Sequence, residues 1–559
     1  MSTTPASTVP DHPALQSALI TYLGNKRALL PFLWTGIQQL AAELGGISTL
    51  ADPFHGSGVV SRMARLAGLN VTAGDIEAYT RPFGVAFLET DPDEVEALFA
   101  PWGGYPAVLR ELNALQVPAP EDAYFSRHYA PKRTETADPA RERLFFTREN
   151  AERIDAMLAA IHRGSWRQPN ARGLSTVADN RDEALRRDIL LASLLVEMSV
   201  HNNTSGVMKG FHHGWGGRGG DALGRIMAPV ELEPLPLISG PRGRMHIGPA
   251  TELPPPTSGG TFDIAYLDPP YTIHQYGANY HLLTSAVRWD FYDPGPVAHG
   301  RRAGIRSDHY RSDHCRRSGA RAYHALAAVL DSLDTRSLLV SYNSDGIIAP
   351  DTMLDILSED GLNTVRLLST RYHKFRGGKA TQAAIATREL LFTVVRGRRQ
   401  SRRDRDRLRG EIEQLTAERD LHARFLIPAR WDHAWSSAAG SAGTTTLRGP
   451  DGETVAVDRE LRVTAVYLPD DPVAAARARR RIEAASGDSV AAAEALVASG
   501  DTDTALRVLK RLKIRKYRSA FDRLAETLDR RDLTERQRST LEELRRRVRG
   551  DTAPADRPR

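Results

Sequence analysis

Residues 47–77 constrain the fold more than any other part of the chain. A short β-competent run, 47–51, leads into Asp52-Pro53-Phe54-His55-Gly56-Ser57-Gly58. A helical stretch follows over 59–66, and a second apolar run over 70–73 ends in Gly74-Asp75-Ile76-Glu77. Strand, glycine turn, helix and strand make a βαβ unit, and such units build doubly wound α/β sheets. Ligands of those sheets lie across the carboxyl ends of the strands, so the loops beginning at Asp52 and Gly74 are expected to border one site. Gly56 and Gly58 let the backbone approach a ligand closely. Asp75 stands about twenty residues beyond that turn, the spacing of an acid that accepts from ribose hydroxyls.

The alternation continues on both sides. Residues 1–15 are polar without an apolar period and read as a disordered lead-in. Leu29, Phe32, Leu33, Ile37, Leu40 and Leu44 recur at three and four, which predicts an amphipathic helix opened by the loop Leu23-Gly24-Asn25-Lys26. Strand signals return at 263–267, 337–342, 364–368 and 390–395, as expected of one sheet resumed after an insert at 85–260. Helical patterns at 150–161 and 189–200 and a glycine-rich loop at 214–220 fall inside that insert. The core is expected over 16–399. Thereafter 400–425 reads as an Arg-rich helix or linker, 426–470 as a small β element around a Pro-Asp-Gly turn, 471–550 as a helical module with a hairpin near 490–512, and 551–559 as a tail.

Composition excludes more than it assigns. No run approaches the ~18 consecutive apolar residues of a membrane span, and the first residues lack the build of a signal peptide. Cys315 stands alone, so neither an internal disulfide nor a thiolate zinc cluster is expected, and a cytoplasmic location follows. Basic residues outnumber acidic ones by 75 to 69. The pI near 9.3 fits a nucleic-acid partner without demonstrating one. His201, His212, His213, His309 and His314 are accompanied by no HExxH pattern or carboxylate cluster, so no metal site is expected. Nucleophile-elbow and phosphate-loop patterns are absent, which leaves hydrolase and ATPase readings without an anchor.

The most specific chemistry stands at Asp268-Pro269-Pro270-Tyr271, directly after the apolar run that ends at Leu267. The lone pair of an exocyclic amino group is delocalised into its ring, and acceptors that hold both amino hydrogens favour a more tetrahedral nitrogen. A carboxylate beside a main-chain carbonyl supplies two such acceptors. Pro269 and Pro270 fix φ and lack N–H groups, giving a rigid turn that presents them, and Tyr271 offers a face for stacking a base. A third signal is Tyr22-Leu23-Gly24-Asn25-Lys26-Arg27, a lysine at a loop-to-helix junction that suits a carboxylate, with a tyrosine suited to an apolar ligand.

In this order the segments YLGNKRALLPFL, DPFHGSGVV and YLDPPY resemble the Dam-like class of adenine-specific (N6) DNA methyltransferases. The pieces LFFTRENAERIDAM, HNNTSGVMKGF, QYGANYHLL and LLVSYNSDGII resemble one branch of it, and the likeness covers about residues 16–396. It implies an α/β fold: a Rossmann-like class I methyltransferase core with an inserted target-recognition region, here followed by a mostly helical C-terminal extension. It also implies S-adenosylmethionine as cofactor. By the resemblance Tyr22 and Lys26 meet the methionine part of the cofactor, Lys26 near its carboxylate. Asp52, Phe54, Gly56 and Gly58 form the cradle, and Asp75 holds the ribose. Asp268, Pro269 and Tyr271 hold a flipped adenine, Asp268 also lying near the cofactor. His55 departs from the small or apolar residue of many relatives.

A base inside a duplex has to be rotated out at a cost of a few kcal/mol. Stacking on Tyr271 offsets part of this, and phosphate contacts are expected to supply the rest. Candidates are Arg301, Arg302, Arg306, Arg311, Arg316 and Arg317, and Lys374, Arg376 and Lys379 in a second basic loop. The expected partners are double-stranded DNA and a restriction endonuclease or defence-system subunit, with no membrane. Two alternatives stay open: cytosine N4 or RNA adenine as the amine, and a DNA-binding assembly subunit with a vestigial methyltransferase fold.

Overall fold

The computed structural model describes residues 9–164, 180–217, 219–298, 300–372, 387–422, 424–427, 436–439, 445–458, 461–469, 472–511 and 518–549. One sheet organises residues 49–395. Its strands are β1 (Thr49–Asp52), β2 (Asn70–Asp75), β3 (Arg244–Ile247), β4 (Phe262–Leu267), β5 (Thr335–Asn343), β6 (Thr364–Tyr372) and β7 (Thr387–Val395), in the order β3-β2-β1-β4-β5-β7-β6. β1 runs parallel to β2 and β4, β2 to β3, and β4 to β5. The order reverses between β1 and β4, and that switch point opens a crevice beyond their carboxyl ends. Every residue of β1 is buried, as expected of a strand covered on both faces. β7 runs antiparallel to β5, so its first residues lie beside the last residues of β5, with Glu389 opposite Asn343.

Two helices fix the rim of the crevice. α1 (Leu30–Leu44) starts with Pro31 in its first turn, ends on left-handed Gly45 and buries Leu30, Leu33, Trp34, Ile37 and Leu40. Burial of each such leucine stabilises the fold by ~1.5–3 kcal/mol. At Gly36 a Cβ would lie 2.6 Å from Leu339 Cδ1 and 2.8 Å from Leu391 Cδ2, so α1 packs on β5 and β7 closely enough that a side chain there would have to displace those leucines. α2 (Val59–Leu66) starts from Gly58, whose φ of +75° favours glycine.

The insert departs from the expected bounds. β3 lies inside the 85–260 stretch and belongs to the sheet, so the inserted material joins β2 to β3. Four short residues, Arg244–Ile247, give too little pattern to announce an edge strand. Helices Pro92–Phe99, Tyr105–Asn113, Arg148–Arg163 and Asn180–Val200 build the insert around Phe99, Leu112, Ile154, Leu158, Leu191 and Leu195. Asp155 ties it locally, accepting from the Phe125 and Ser126 amides at 2.7 and 2.9 Å. The disordered lead-in also needs correction over its second half: Val9–Asp11 and Pro13–Leu15 form 3-10 turns, and Ala14 and Leu15 are buried.

The chain divides into two compact units, 1–370 with 389–406 and 371–388 with 407–559. The second contains an antiparallel sheet of Val463–Tyr467, Thr454–Val457, Thr445–Arg448 and Ser436–Ala439. The Pro450-Asp451-Gly452 turn closes its central hairpin, with Gly452 at φ +89°. Helices Pro472–Ala484, Ser489–Ser499, Thr502–Arg511, Arg518–Asp529 and Glu535–Arg549 follow, the last four around Leu496, Leu509, Phe521 and Leu544. Among the described residues no helix is long and apolar enough to cross a membrane.

Candidate active site

The crevice at the switch point is a cavity into which the three sequence motifs converge: Tyr22 to Lys26, Asp52 to Ser57, Asp75 to Glu77, and Asp268 to Tyr271 all line it. Each is placed by a strand end or a helix start. Asp52 closes β1, Asp75 closes β2, Asp268 follows β4, and Lys26 precedes the turn that leads into α1.

At the Asp268-Pro269-Pro270-Tyr271 turn the Lys26 ammonium lies 3.0 Å from Asp268 Oδ1 and 2.7 Å from Glu389 Oε1. It also stands 5.1 Å from the centroid of the Tyr271 ring. Burial alone would favour a neutral lysine, but Asp268, Tyr271 and Glu389 hold its pKa well above the ordinary value. Burial pushes the Asp268 carboxyl up to about 6, with Lys26 opposing and Glu389 reinforcing the rise. Two of the three Lys26 donors therefore face carboxylates, where the sequence paired the residue with a ligand carboxylate. Glu389 was missed: its strand was placed at 390–395, and nothing in the sequence shows that β7 is antiparallel.

The glycine loop is tied to β2. Asp75 Oδ2 accepts from the Gly56 amide at 2.8 Å, and its Oδ1 from the Glu77 amide at 2.9 Å. Both oxygens thus shape the loop before any ligand arrives, although each retains a lone pair. Glu77, absent from the sequence candidates, lines the same cavity, and burial followed by repulsion from Asp75 raises its carboxyl to about 8. Gly56 is favoured by its φ of +54°, and a Cβ there would press on Tyr22 Cε1 at 3.0 Å. Tyr22 in turn stacks on Tyr280 at 4.9 Å.

His55 now has a physical account. The Ser61 hydroxyl donates to Asp52 Oδ2 at 2.5 Å, and His55 Nδ1 lies 3.1 Å from the same hydroxyl oxygen. The imidazole therefore donates from Nδ1 in its neutral form, and burial and then nearby Arg62 lower its pKa to about 3. Its ring fills the space beside Gly58, where a Cβ would come within 2.7 Å of Nε2. Asp52 Oδ1 is buried without a hydrogen-bond partner among the described residues, and burial lifts that carboxyl to about 7.

The cavity is therefore acidic. Its carboxyl groups include Asp52, Asp75, Glu77 and Asp268, its one ammonium is already paired, and the imidazoles of His55 and His314 are held neutral by burial. Such a lining suits a ligand that brings positive charge and hydroxyl groups. Phe54 meets His314 edge-on at 5.3 Å on the cavity wall.

The basic candidates scatter. Arg306 is corrected: it is buried, its guanidinium held by Asp290 at 2.6–2.7 Å and Asp308 at 2.8–2.9 Å, so it braces a loop and presents no charge to a phosphate. Arg302 donates to the Pro139 carbonyl and packs 5.7 Å from the Phe211 ring centroid. Arg316 pairs with Asp313 at 3.4 Å, while Arg301, Arg311 and Arg317 are exposed. Lys374, Arg376 and Lys379 lie outside the described residues. Among the described residues no cluster of His, Cys, Asp or Glu has the arrangement of a metal site.

A parallel-dominant seven-stranded sheet in this order, with a glycine loop after β1 and Asp-Pro-Pro-Tyr after β4, defines the methyltransferase class of α/β enzymes. Comparison with known sequences narrows the class. The profile of the D12 class N6 adenine-specific DNA methyltransferases matches residues 22–161 and 260–296, which span all three motifs. Similar proteins include type II methyltransferase M.NlaIII of Neisseria lactamica, 27% identical over 64% of this chain and 93% of the relative. Modification methylase LlaI of Lactococcus lactis subsp. lactis is 29% identical over 65% of this chain and 54% of its own length. Type II methyltransferase M.CviAII of Paramecium bursaria Chlorella virus 1 is 26% identical over 67% and 98%. No solved structure matches the chain.

Proposed function

We propose that the chain is the modification enzyme of a restriction-modification system, transferring a methyl group from S-adenosylmethionine to the N6 amine of adenine in double-stranded DNA. The observation that carries this reading is the Asp268 carboxylate at the end of β4, facing an acidic cavity whose only ammonium is already paired. The similar type II methyltransferases support the assignment to restriction-modification. S-adenosylmethionine supplies, when bound, an electrophilic methyl group on a positively charged sulfur.

Asp52, Asp75 and Glu77 face that cofactor. Asp52 brings an unpartnered Oδ1 to its positive charge, and Asp75 and Glu77 accept from its hydroxyls. Gly56 keeps the loop free of a side chain where the cofactor would lie, Gly58 makes room for the His55 ring behind it, and Tyr22 and Phe54 supply apolar walls. At the amine, Asp268 accepts one N–H and the carbonyl of the turn the other, so the nitrogen lone pair is released from the ring. That pair would then be free to take the methyl group that the cofactor supplies, the C–S bonding electrons remaining on its sulfur. One amine proton then has to depart, and Asp268, already hydrogen-bonded to it, is the first acceptor in its path. Tyr271 stacks on the rotated base and repays ~1–3 kcal/mol of the unstacking.

The experiment is methylation of defined duplexes with labelled cofactor, followed by nucleoside analysis. N6-methyladenine is expected. N4-methylcytosine, or label only in RNA, would overturn the reading.

A further inference from the structure

Glu389 is the buried acid of the site to which the steps above give no task. Its Oε1 accepts from Lys26 Nζ at 2.7 Å and from the Ser341 hydroxyl at 2.7 Å. Its Oε2 is buried without a hydrogen-bond partner among the described residues. A carboxylate at 0% exposure is tolerated only when its charge is paired, and Lys26 supplies that pairing from 4% exposure. The same ammonium stands 3.0 Å from Asp268, so one lysine bridges two carboxylates.

We propose that Glu389 is a positioning residue for methyl transfer, drawing the Lys26 ammonium to itself so that acceptor sites of Asp268 stay open and aimed at the amine. The inference rests on the role given to Asp268 above. With Asp268 as its only partner, Lys26 would form a neutral pair and occupy the acceptor sites that the amine needs. Sharing the ammonium leaves one net negative charge on the trio, and the shorter contact is the one to Glu389. Ser341 fixes the shared Oε1 from β5, and the antiparallel course of β7 brings the acid to the catalytic edge of the sheet.

The groups that face Asp268 separate this role from mere packing. They are Lys26 from the loop before α1, Glu389 from β7, Asp52 from β1, Tyr266 from β4, and Tyr271 and Tyr276 from the segment that follows. Lys26 favours the ionised carboxyl and Glu389 disfavours it. Removing either partner therefore displaces the Asp268 titration in opposite directions.

The test compares turnover against pH for full-length wild type, Glu389→Gln, Lys26→Met, Ser341→Ala and Asp268→Ala. Glu389→Gln is expected to lower kcat ~10–100-fold, the range seen for residues that orient a reacting group indirectly, with KM near wild type. Its acid limb moves to lower pH, whereas that of Lys26→Met moves to higher pH. Ser341→Ala lowers kcat less and leaves the limb in place. Infrared titration of the Asp268 carboxyl without cofactor or DNA, assigned by Asp268→Asn, should shift in the same two directions. An unmoved limb and carboxyl band in Glu389→Gln would overturn the inference even if kcat fell, because a packing defect alone predicts that result. If Glu389→Gln does not fold, Ser341→Ala at full wild-type turnover overturns it. Full turnover in Asp268→Ala would instead defeat the underlying reading of Asp268.

Discussion

Asp52 should cost the protein stability that Asn in its place would restore. The carboxyl is 1% exposed, one oxygen accepts from Ser61 and the other is buried without a hydrogen-bond partner within normal distance among the described residues. Burial, against the Ser61 hydrogen bond and with repulsion from Asp268 and Asp75, raises its pKa from 3.8 to about 7. A carboxyl whose folded pKa lies above its unfolded value binds its proton more tightly in the native state. Stability is therefore greatest below the unfolded value and falls as pH rises through the window from 3.8 to about 7. At ~1.4 kcal/mol for each pH unit between the two values, ionising Asp52 costs at most about 4 kcal/mol above that window. Asp52→Asn keeps an acceptor for Ser61 and cannot ionise. The expected outcome is a melting midpoint several degrees higher than wild type at pH 8, with the difference vanishing near pH 4, measured on full-length protein without cofactor. Titration calorimetry with S-adenosylmethionine should show weaker binding by the same variant, since the charge that destabilises the empty cavity is the one that receives the ligand. Equal offsets at pH 4 and pH 8, or a lower midpoint at pH 8, would refute the reasoning.

Asp268→Ala should lower methyl transfer at least ~100-fold while the protein stays folded, because it removes an acceptor at the reacting amine; more than a tenth of wild-type turnover would contradict that role. Glu77→Gln and Asp75→Ala should both weaken S-adenosylmethionine binding in calorimetry, Asp75→Ala more, because Asp75 also holds the Gly56 amide; unchanged affinity in both would show that the hydroxyls are held elsewhere. Arg306→Ala should destabilise the fold by ~1–3 kcal/mol in urea titration, since it removes a buried guanidinium whose charge-assisted hydrogen bonds go to half-exposed Asp290 and Asp308, yet leave the salt dependence of DNA binding unchanged. If exposed Arg301, Arg311 and Arg317 contact phosphates, each Ala variant should flatten the slope of log affinity against log salt by ~0.9.

What the sequence disclosed follows from which interactions are local. The strand, glycine turn and helix from 49 to 66 and the Asp-Pro-Pro-Tyr turn are encoded by neighbouring residues, and both stand in the structure where periodicity and turn chemistry put them. Lys26 and Asp268 were legible as chemistry but not as a pair, because 242 positions separate residues that meet only once β4 lies beside β1. Glu389 was illegible for a further reason: its role depends on strand direction, and an apolar run reads the same whether it lies parallel or antiparallel to its neighbour. Arg306 shows the converse error. A count of arginines in a loop cannot distinguish a guanidinium that faces solvent from one enclosed by Asp290 and Asp308, although both acids lie within sixteen residues of it. Sequence spacing does not resolve the two cases, since Asp290 and Asp308 lie eleven and seven residues from exposed Arg301; the course of the 290–308 loop decides which arginine they enclose.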